Sequence, residues 1–305
     1  MNCLLSNCVR RMLPVAILAM LALPASAQQA FPTPDAAAEA FVAALGTQRA
    51  DAQKLEALLG KDWRDYIPIE GIERADVEAF LKGYREKHSI QTAKDGTAHL
   101  AVGKDAWTLP IPLAKGKAGW AFDTHAATEE IRARRIGRNE DDTIESELAY
   151  HDAQTEYAEL DRDGDGVLEY AQKVLSTDGK HDGLYWADDD SGQISPLGPL
   201  FADAEPGSDW HGYHFKILTA QGPSAPGGAY NYLLGNNMSR GFALIGWPSK
   251  YGDTGVMSFM ISHEGEVFEK DLGPDSEKLA KAMTKFDPDS SWKEVKPPVT
   301  TSASK

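Results

Sequence analysis

Cysteine occurs at Cys3 and Cys8 and nowhere else in the 305 residues. Both precede an apolar run, Leu13 to Leu23, that closes on Pro24, Ala25, Ser26 and Ala27. A basic pair (Arg10 and Arg11), a short apolar core and a small-x-small end are the parts of a cleavable secretory signal over residues 1–27. The apolar run is well short of the ~20 residues that a helix needs to span a bilayer. The paired arginines point to the twin-arginine route. The rest of that motif is absent, which favours general secretion, and both routes stay open. With cleavage after Ala27, the remaining 278 residues hold no thiol. They can use neither disulfides nor thiolate zinc ligation, so burial must hold the fold together. A chain of that length can bury a large core, in one domain or two. The expected compartment is the periplasm or the exterior.

Charge narrows the partners. There are 31 basic and 46 acidic side chains, a net charge of -15. Loss of the two signal arginines, with no acid lost, takes it to -17. Such a surface repels phosphate backbones and anionic lipid heads, so no nucleic-acid partner is expected. No membrane span is expected once the signal is removed. Cations, calcium among them, are the natural counterparts.

Patterning divides the rest. Thr33 can cap a helix with Pro34 in its first position, and Ala37, Phe41, Ala44 and Leu45 recur at helical spacing. Further helices are expected over Ala50–Leu59, stopped by Gly60, and over Asp76–Lys87. Strands follow over Ala98–Val102, Trp107–Leu113 and Gly119–Phe122, with Pro110 and Pro112 confining the middle one to an edge or bulge. A long helical pattern then runs from Thr128 to Leu160, where Gly137 is a candidate break. Residues 161–212 are rich in Asp, Gly, Ser and Pro and read as a long irregular connection. Strands resume over Tyr213–Leu218, Gly241–Trp247, Gly255–Ile261 and Val267–Asp271, the last two as a hairpin. A short helix over Ser276–Lys285 follows. The predicted architecture is α+β: a small domain over 31–125, a second over 126–295, and a disordered tail over 296–305.

The sharpest motif is Asp161-Arg-Asp163-Gly-Asp165-Gly166. Carboxylates at positions one, three and five with glycine at six are how a calcium loop wraps one ion. The carbonyl of Val167 and the side chain of Glu169 would be further ligands. Position twelve, which should be a bidentate glutamate, is Gln172. A helix on each side is also expected, the second over Glu169–Leu175. Against this stands an ordinary polar turn in which aspartates cap backbone groups.

A second candidate metal set is His181, Asp182, His211 and His214, three imidazoles and a carboxylate suited to zinc. Side chains three apart on a strand point to opposite faces, so His211 and His214 meet only if Gly212 bends the chain. There is no Gly-x-Ser-x-Gly elbow, His-Glu-x-x-His or phosphate loop. The stretch Gly222–Gly228 fits a rigid turn. Asp141, Asp142 and the run Asp188–Asp190 read as solvated charge. Trp186, Trp210, Tyr213, Tyr230 and Tyr232 either line a glycan or peptide groove or pack in the core.

Several strings carry a resemblance. They are Arg135-Ile-Gly-Arg-Asn-Glu140, Tyr150–Tyr157, Asp161–Tyr170, Gly179–Trp186, Tyr213–Gly222, Pro226–Tyr230 and Lys270–Gly273. Together they resemble the bacterial exported proteins grouped as domain of unknown function 2950, over about Phe31 to Val295. The resemblance implies a signal peptide and an envelope location, and it transfers no activity. Residues 139–271 are also similar in element order to the globular heads of type IV pilins and pseudopilins. Those heads lay a helix across an antiparallel sheet, and some hold calcium. Where a pilin has an apolar anchor, this chain has Arg132, Arg134, Arg135 and Arg138. The function expected from all this is a non-catalytic envelope protein that binds another exported protein and is stiffened by calcium. The alternatives are a secreted metal-dependent hydrolase and a periplasmic glycan- or peptide-binding module.

Overall fold

The computed structural model describes residues 28–67, 74–187, 192–198 and 209–295. The expected signal (1–27), Asp188–Asp190 and the expected tail (296–305) lie outside them. The chain is α+β, and it divides after Ala127 into two compact units. Among the described residues, no helix is long and apolar enough to cross a membrane.

The first unit opens with α1 (Pro34–Leu45), whose Thr33 hydroxyl accepts from the Ala36 N–H at 3.2 Å. Helix α2 (Ala52–Leu59) is capped by the Asp51 carboxylate and ends at Gly60. Helices α3 (Trp63–Tyr66) and α4 (Arg74–Glu86) follow. Strands β1 (His88–Thr92), β2 (Ala98–Val102), β3 (Trp107–Thr108), β4 (Leu113–Gly116) and β5 (Gly119–Phe122) form one antiparallel sheet. The single strand expected over 107–113 is two strands, because Pro110 and Pro112 donate no ladder hydrogen bond. Phe41 of α1 fixes helix to sheet, its ring 5.3 Å from Phe122 and 6.2 Å from Phe80. The chain start is tied in as an extra bridge, Phe31 to Trp120. Gly119 permits it: a Cβ there would stand 2.3 Å from the Phe31 carbonyl oxygen.

Helix α5 (Thr124–Tyr157) runs 34 residues without interruption. The break expected at Gly137 does not form, since one glycine costs a helix only about 1 kcal/mol. The second unit sets this helix on a five-stranded antiparallel sheet. The strands are β6 (Tyr213–Leu218), β11 (Ala243–Pro248), β12 (Met257–Ser262), β13 (Val267–Asp271) and β14 (Lys293–Val295), in the order β14-β13-β12-β11-β6. Two small ribbons lie outside it: β7 (Ala220–Gln221) with β8 (Tyr230–Asn231), and β9 (Leu233–Leu234) with β10 (Asn237–Met238). Helix α6 (Ser276–Ala282) packs on β11. Strand β11 is buried at all six positions. That needs cover on both faces, and α5 supplies one of them.

The string Arg135 to Glu140 clamps α5 down. Arg135 pairs with Asp253, and the Asn139 amide donates to the Thr254 carbonyl at 2.8 Å. One Glu140 oxygen accepts from the Val256 and Met257 N–H groups, both at 2.9 Å. Gly246 of β11 lets the helix approach closely, for a Cβ there would crowd Phe215 and Thr143 at 3.0 and 3.3 Å.

Candidate functional site

The acidic loop begins where α5 ends. Gln154, fully buried on the last turns of α5, reaches over the chain that returns from the loop. Its amide nitrogen donates to the Ala171 carbonyl and to the Tyr150 hydroxyl, and its oxygen accepts from the Ala171 N–H. Arg162 folds back, its Nε on the Tyr157 carbonyl at 3.1 Å and its guanidinium over the Tyr157 and Trp186 rings. Both ends of the loop are therefore pinned.

Between those pins the aspartates turn inward. Asp161 accepts from the Gly164 and Gly166 N–H groups at 2.8 and 2.9 Å, Asp163 from Asp165, and Asp165 from Val167. Gly164 and Gly166 both take positive φ, 78° and 88°. One oxygen from each of Asp161, Asp163 and Asp165 lies within 4.8 Å of the others, and all three residues are exposed. The amide bonds, that from Gly166 first, lower the pKa of Asp161. Glu169 is outside this trio but feels it: burial, then the charges of Asp163, Asp165 and Asp161, raise its pKa.

The other half of the expected motif is absent. Glu169–Leu175 is not a helix. The Tyr170 N–H donates to the Met238 carbonyl, Ala171 is held by Gln154, and Leu175 bridges Tyr185. Those partners draw the backbone out straight. Gln172 turns away as well, its amide on the Asn236 carbonyl at 2.6 Å, and Asn237 donates to Asp165 at 2.5 Å. The β9–β10 hairpin thus occupies the side where a second helix was expected.

The histidine set does not converge. His181 stacks on Trp186 with centroids 4.3 Å apart, and its Nδ1 is 3.2 Å from the Gln193 amide oxygen. Asp182 serves a local turn. Burial raises its pKa, but hydrogen bonds from Lys173 and from the Thr177 N–H and hydroxyl outweigh that and hold it at about 2. His211 has φ 49°, with Nδ1 3.4 Å from Asp142. His214 lies on β6 opposite Trp247. Gly212 does bend the chain, at φ 76°. Even so, the aspartate trio is the one group of three or more ligand atoms brought that close among the described residues.

The aromatic set is mostly core. Trp186 is buried, and Tyr213 and Tyr232 are fully buried, their hydroxyls donating to the Met257 carbonyl and the Gln221 side-chain oxygen. These three cannot line a groove. The Gly222–Gly228 stretch is the expected turn, its carbonyls at Pro226 and Gly228 gathered by the Gln221 amide. Asp142, read as solvated, instead meets His211. In the first unit a polar cleft of about 470 Å³, lined by Gln28, Gln53, Glu56 and Lys61 among others, holds none of the expected site residues.

Two important residues escaped the sequence reading: Gln154 and the wholly buried Glu147. Their signal was register, since Thr143, Glu147, Tyr150 and Gln154 fall at helical spacing on the face that Ile144 and Tyr157 bury.

No curated protein and no solved structure matches the chain, and the expected likeness to pilin heads finds no support among them. A family model does match, over residues 28–295, and takes in both units. The chain belongs to the family described as Protein of unknown function (DUF2950).

Proposed function

We propose that this chain is an exported, non-catalytic accessory protein of the cell envelope that binds another exported protein, and that calcium stiffens its acidic loop. The observation that carries the calcium reading is the convergence of Asp161, Asp163 and Asp165 within 4.8 Å. Three like charges held that close favour a nearby cation, and an all-oxygen donor set suits a hard one such as calcium. Val167, through its carbonyl, and Glu169 are the further ligands. Burial and then the neighbouring carboxylates raise the pKa of Glu169, and calcium takes only its ionised form, so affinity rises with pH through the titration of that carboxyl.

The site is half of an EF-hand, without the closing glutamate and the second helix. Its affinity belongs with the weak extracellular modules, Kd ~10⁻⁴ to 10⁻³ M. A closed oxygen cage leaves no position for a substrate, which favours a structural role. Calorimetric unfolding of the full chain in millimolar calcium against chelator tests this. Millimolar calcium is about one to ten times that Kd, and a ligand bound only by the folded state then adds about 0.4–1.4 kcal/mol. An unmoved midpoint would end the calcium reading. Export is tested separately, by mass spectrometry of protein recovered from the envelope: an N-terminus at Gln28 is expected.

A further inference from the structure

Among the described residues, the exposed large apolar side chains concentrate around the acidic loop. Seven large ones are exposed among the described residues, and five lie on the acidic loop or on the two segments fastened to it. Leu160 immediately precedes Asp161, and Val167 and Leu168 belong to the loop itself. Ile194 follows Gln193, whose side-chain oxygen accepts from Arg162 at 3.0 Å. Leu234 is on the hairpin, opposite Asn237, which donates to Asp165. Leu168 is 56% exposed, Leu234 67% and Ile194 78%. Single exposed leucines need no explanation, but a cluster rimmed by charge marks an interaction surface.

The rim is mostly acidic, its one loop cation, Arg162, being folded back over the Tyr157 and Trp186 rings. Asp161, Asp163, Asp165 and Glu169 are interleaved with these apolar side chains, on a chain of net charge -15. An anionic membrane or a nucleic acid would be repelled. A second copy in a two-fold dimer would bring the same patch against itself, acidic loop facing acidic loop. We infer that this surface docks a segment of another exported polypeptide that carries basic and apolar residues side by side. The inference rests on the accessory reading above and gives its partner a chemistry. The apolar contacts supply the affinity, while the carboxylates speed encounter and reject acidic competitors. The backbone beneath is already held by the Tyr170–Met238, Gln172–Asn236 and Asn237–Asp165 hydrogen bonds, so little ordering cost falls on this side of the complex.

Fluorescence anisotropy of the full chain with three synthetic peptides of equal length tests this: one of lysine and leucine, one of lysine and serine, one of glutamate and leucine. Chelator is present, so calcium plays no part. The lysine–leucine peptide should bind at least about tenfold more tightly than either control. Leu168→Ser with Leu234→Ser should remove that advantage with an unchanged melting midpoint, because both side chains are in solvent. Asp163→Asn with Asp165→Asn keeps every apolar group and should weaken binding and flatten its salt dependence. Equal binding of the two lysine peptides, or binding untouched by the leucine substitutions, overturns the inference. So does a dimer that those substitutions dissolve, or adsorption to phosphatidylglycerol vesicles that they abolish. An envelope crosslink to a partner on another face sinks this surface and leaves the accessory reading standing. A calcium shift of the melting midpoint speaks only to the cage.

Discussion

Glu147 lies on the face of α5 that meets the sheet, fully buried, and neither of its carboxylate oxygens has a hydrogen-bond partner. Burial pushes its pKa well above the usual carboxylate range and outweighs the opposing effect of the nearby Gly246 amide. Its charge, were it present, would face the Tyr150 and Tyr213 hydroxyls, both also raised by burial. The folded state therefore holds a proton that the unfolded chain releases above ~4.5. Stability falls as pH rises from that point toward the raised value, by up to about 1.4 kcal/mol per pH unit for one proton. Glu147→Met keeps the volume and removes the charge. It should stabilise the chain by about 1–3 kcal/mol at neutral pH, with a gain that grows as pH rises. Urea unfolding at three pH values checks this, and a gain that does not depend on pH would contradict it. Gly255 gives the opposite case. A Cβ there would stand 2.0 Å from the Tyr213 hydroxyl, whose ring is locked in the core. Gly255→Ala should cost about 1–3 kcal/mol, read as a lowered melting midpoint, because that ring has nowhere to move.

Helix α5 and the acidic loop work as one element through Gln154. Removing that side chain leaves the N–H and carbonyl of Ala171 without their partner, deep in the core. At about 1–3 kcal/mol for each buried group so stranded, Gln154→Ala should lose roughly 3 kcal/mol. The loss should appear locally first, as faster amide exchange over residues 161–172 while β11 and β12 stay protected. Uniform loss of protection would mean that Gln154 supports the whole unit instead. The same side chain explains what was legible in the sequence. Elements fixed by nearby residues were readable: the Thr33 cap with Pro34, the Gly60 stop, β2, β5, β6 and β13 at their full lengths, and the glycine-six turn of the loop. Elements fixed from a distance were not. Glu169–Leu175 has a helical pattern, yet Met238 and Gln154 take its backbone hydrogen bonds, and no local window contains them. Strands β1 and β14 are exposed ribbons with little apolar alternation, so their ladder partners define them. The aspartate trio was legible because its carboxylates and amides lie within seven residues. The hairpin that replaces the second helix lies more than sixty residues onward.

Across the whole molecule, the surplus of acids sets up a competition between two effects of salt. A chain of charge -15 repels itself, and any added electrolyte relieves some of that repulsion by screening. Sodium chloride alone should therefore raise the melting midpoint a little. Calcium and magnesium at matched ionic strength screen equally, so whatever calcium adds beyond magnesium measures the cage. Magnesium requires a tight octahedron at about 2.0–2.1 Å and gives up its waters reluctantly, whereas calcium accepts six to eight oxygens in loose geometry. The exposed trio, with Glu169 to one side and a hairpin in place of the closing glutamate, meets only the looser demand. The expected order of midpoints is calcium above magnesium, with magnesium close to sodium. Asp161→Asn with Asp163→Asn should erase the calcium surplus and leave the sodium response intact, because two charges in 46 acids barely change the overall field. Equal midpoints in calcium and magnesium would make the aspartates ordinary surface charge. The inward turn of the three carboxylates would then be the work of the Gly164, Asp165, Gly166 and Val167 amides and the Asn237 side chain.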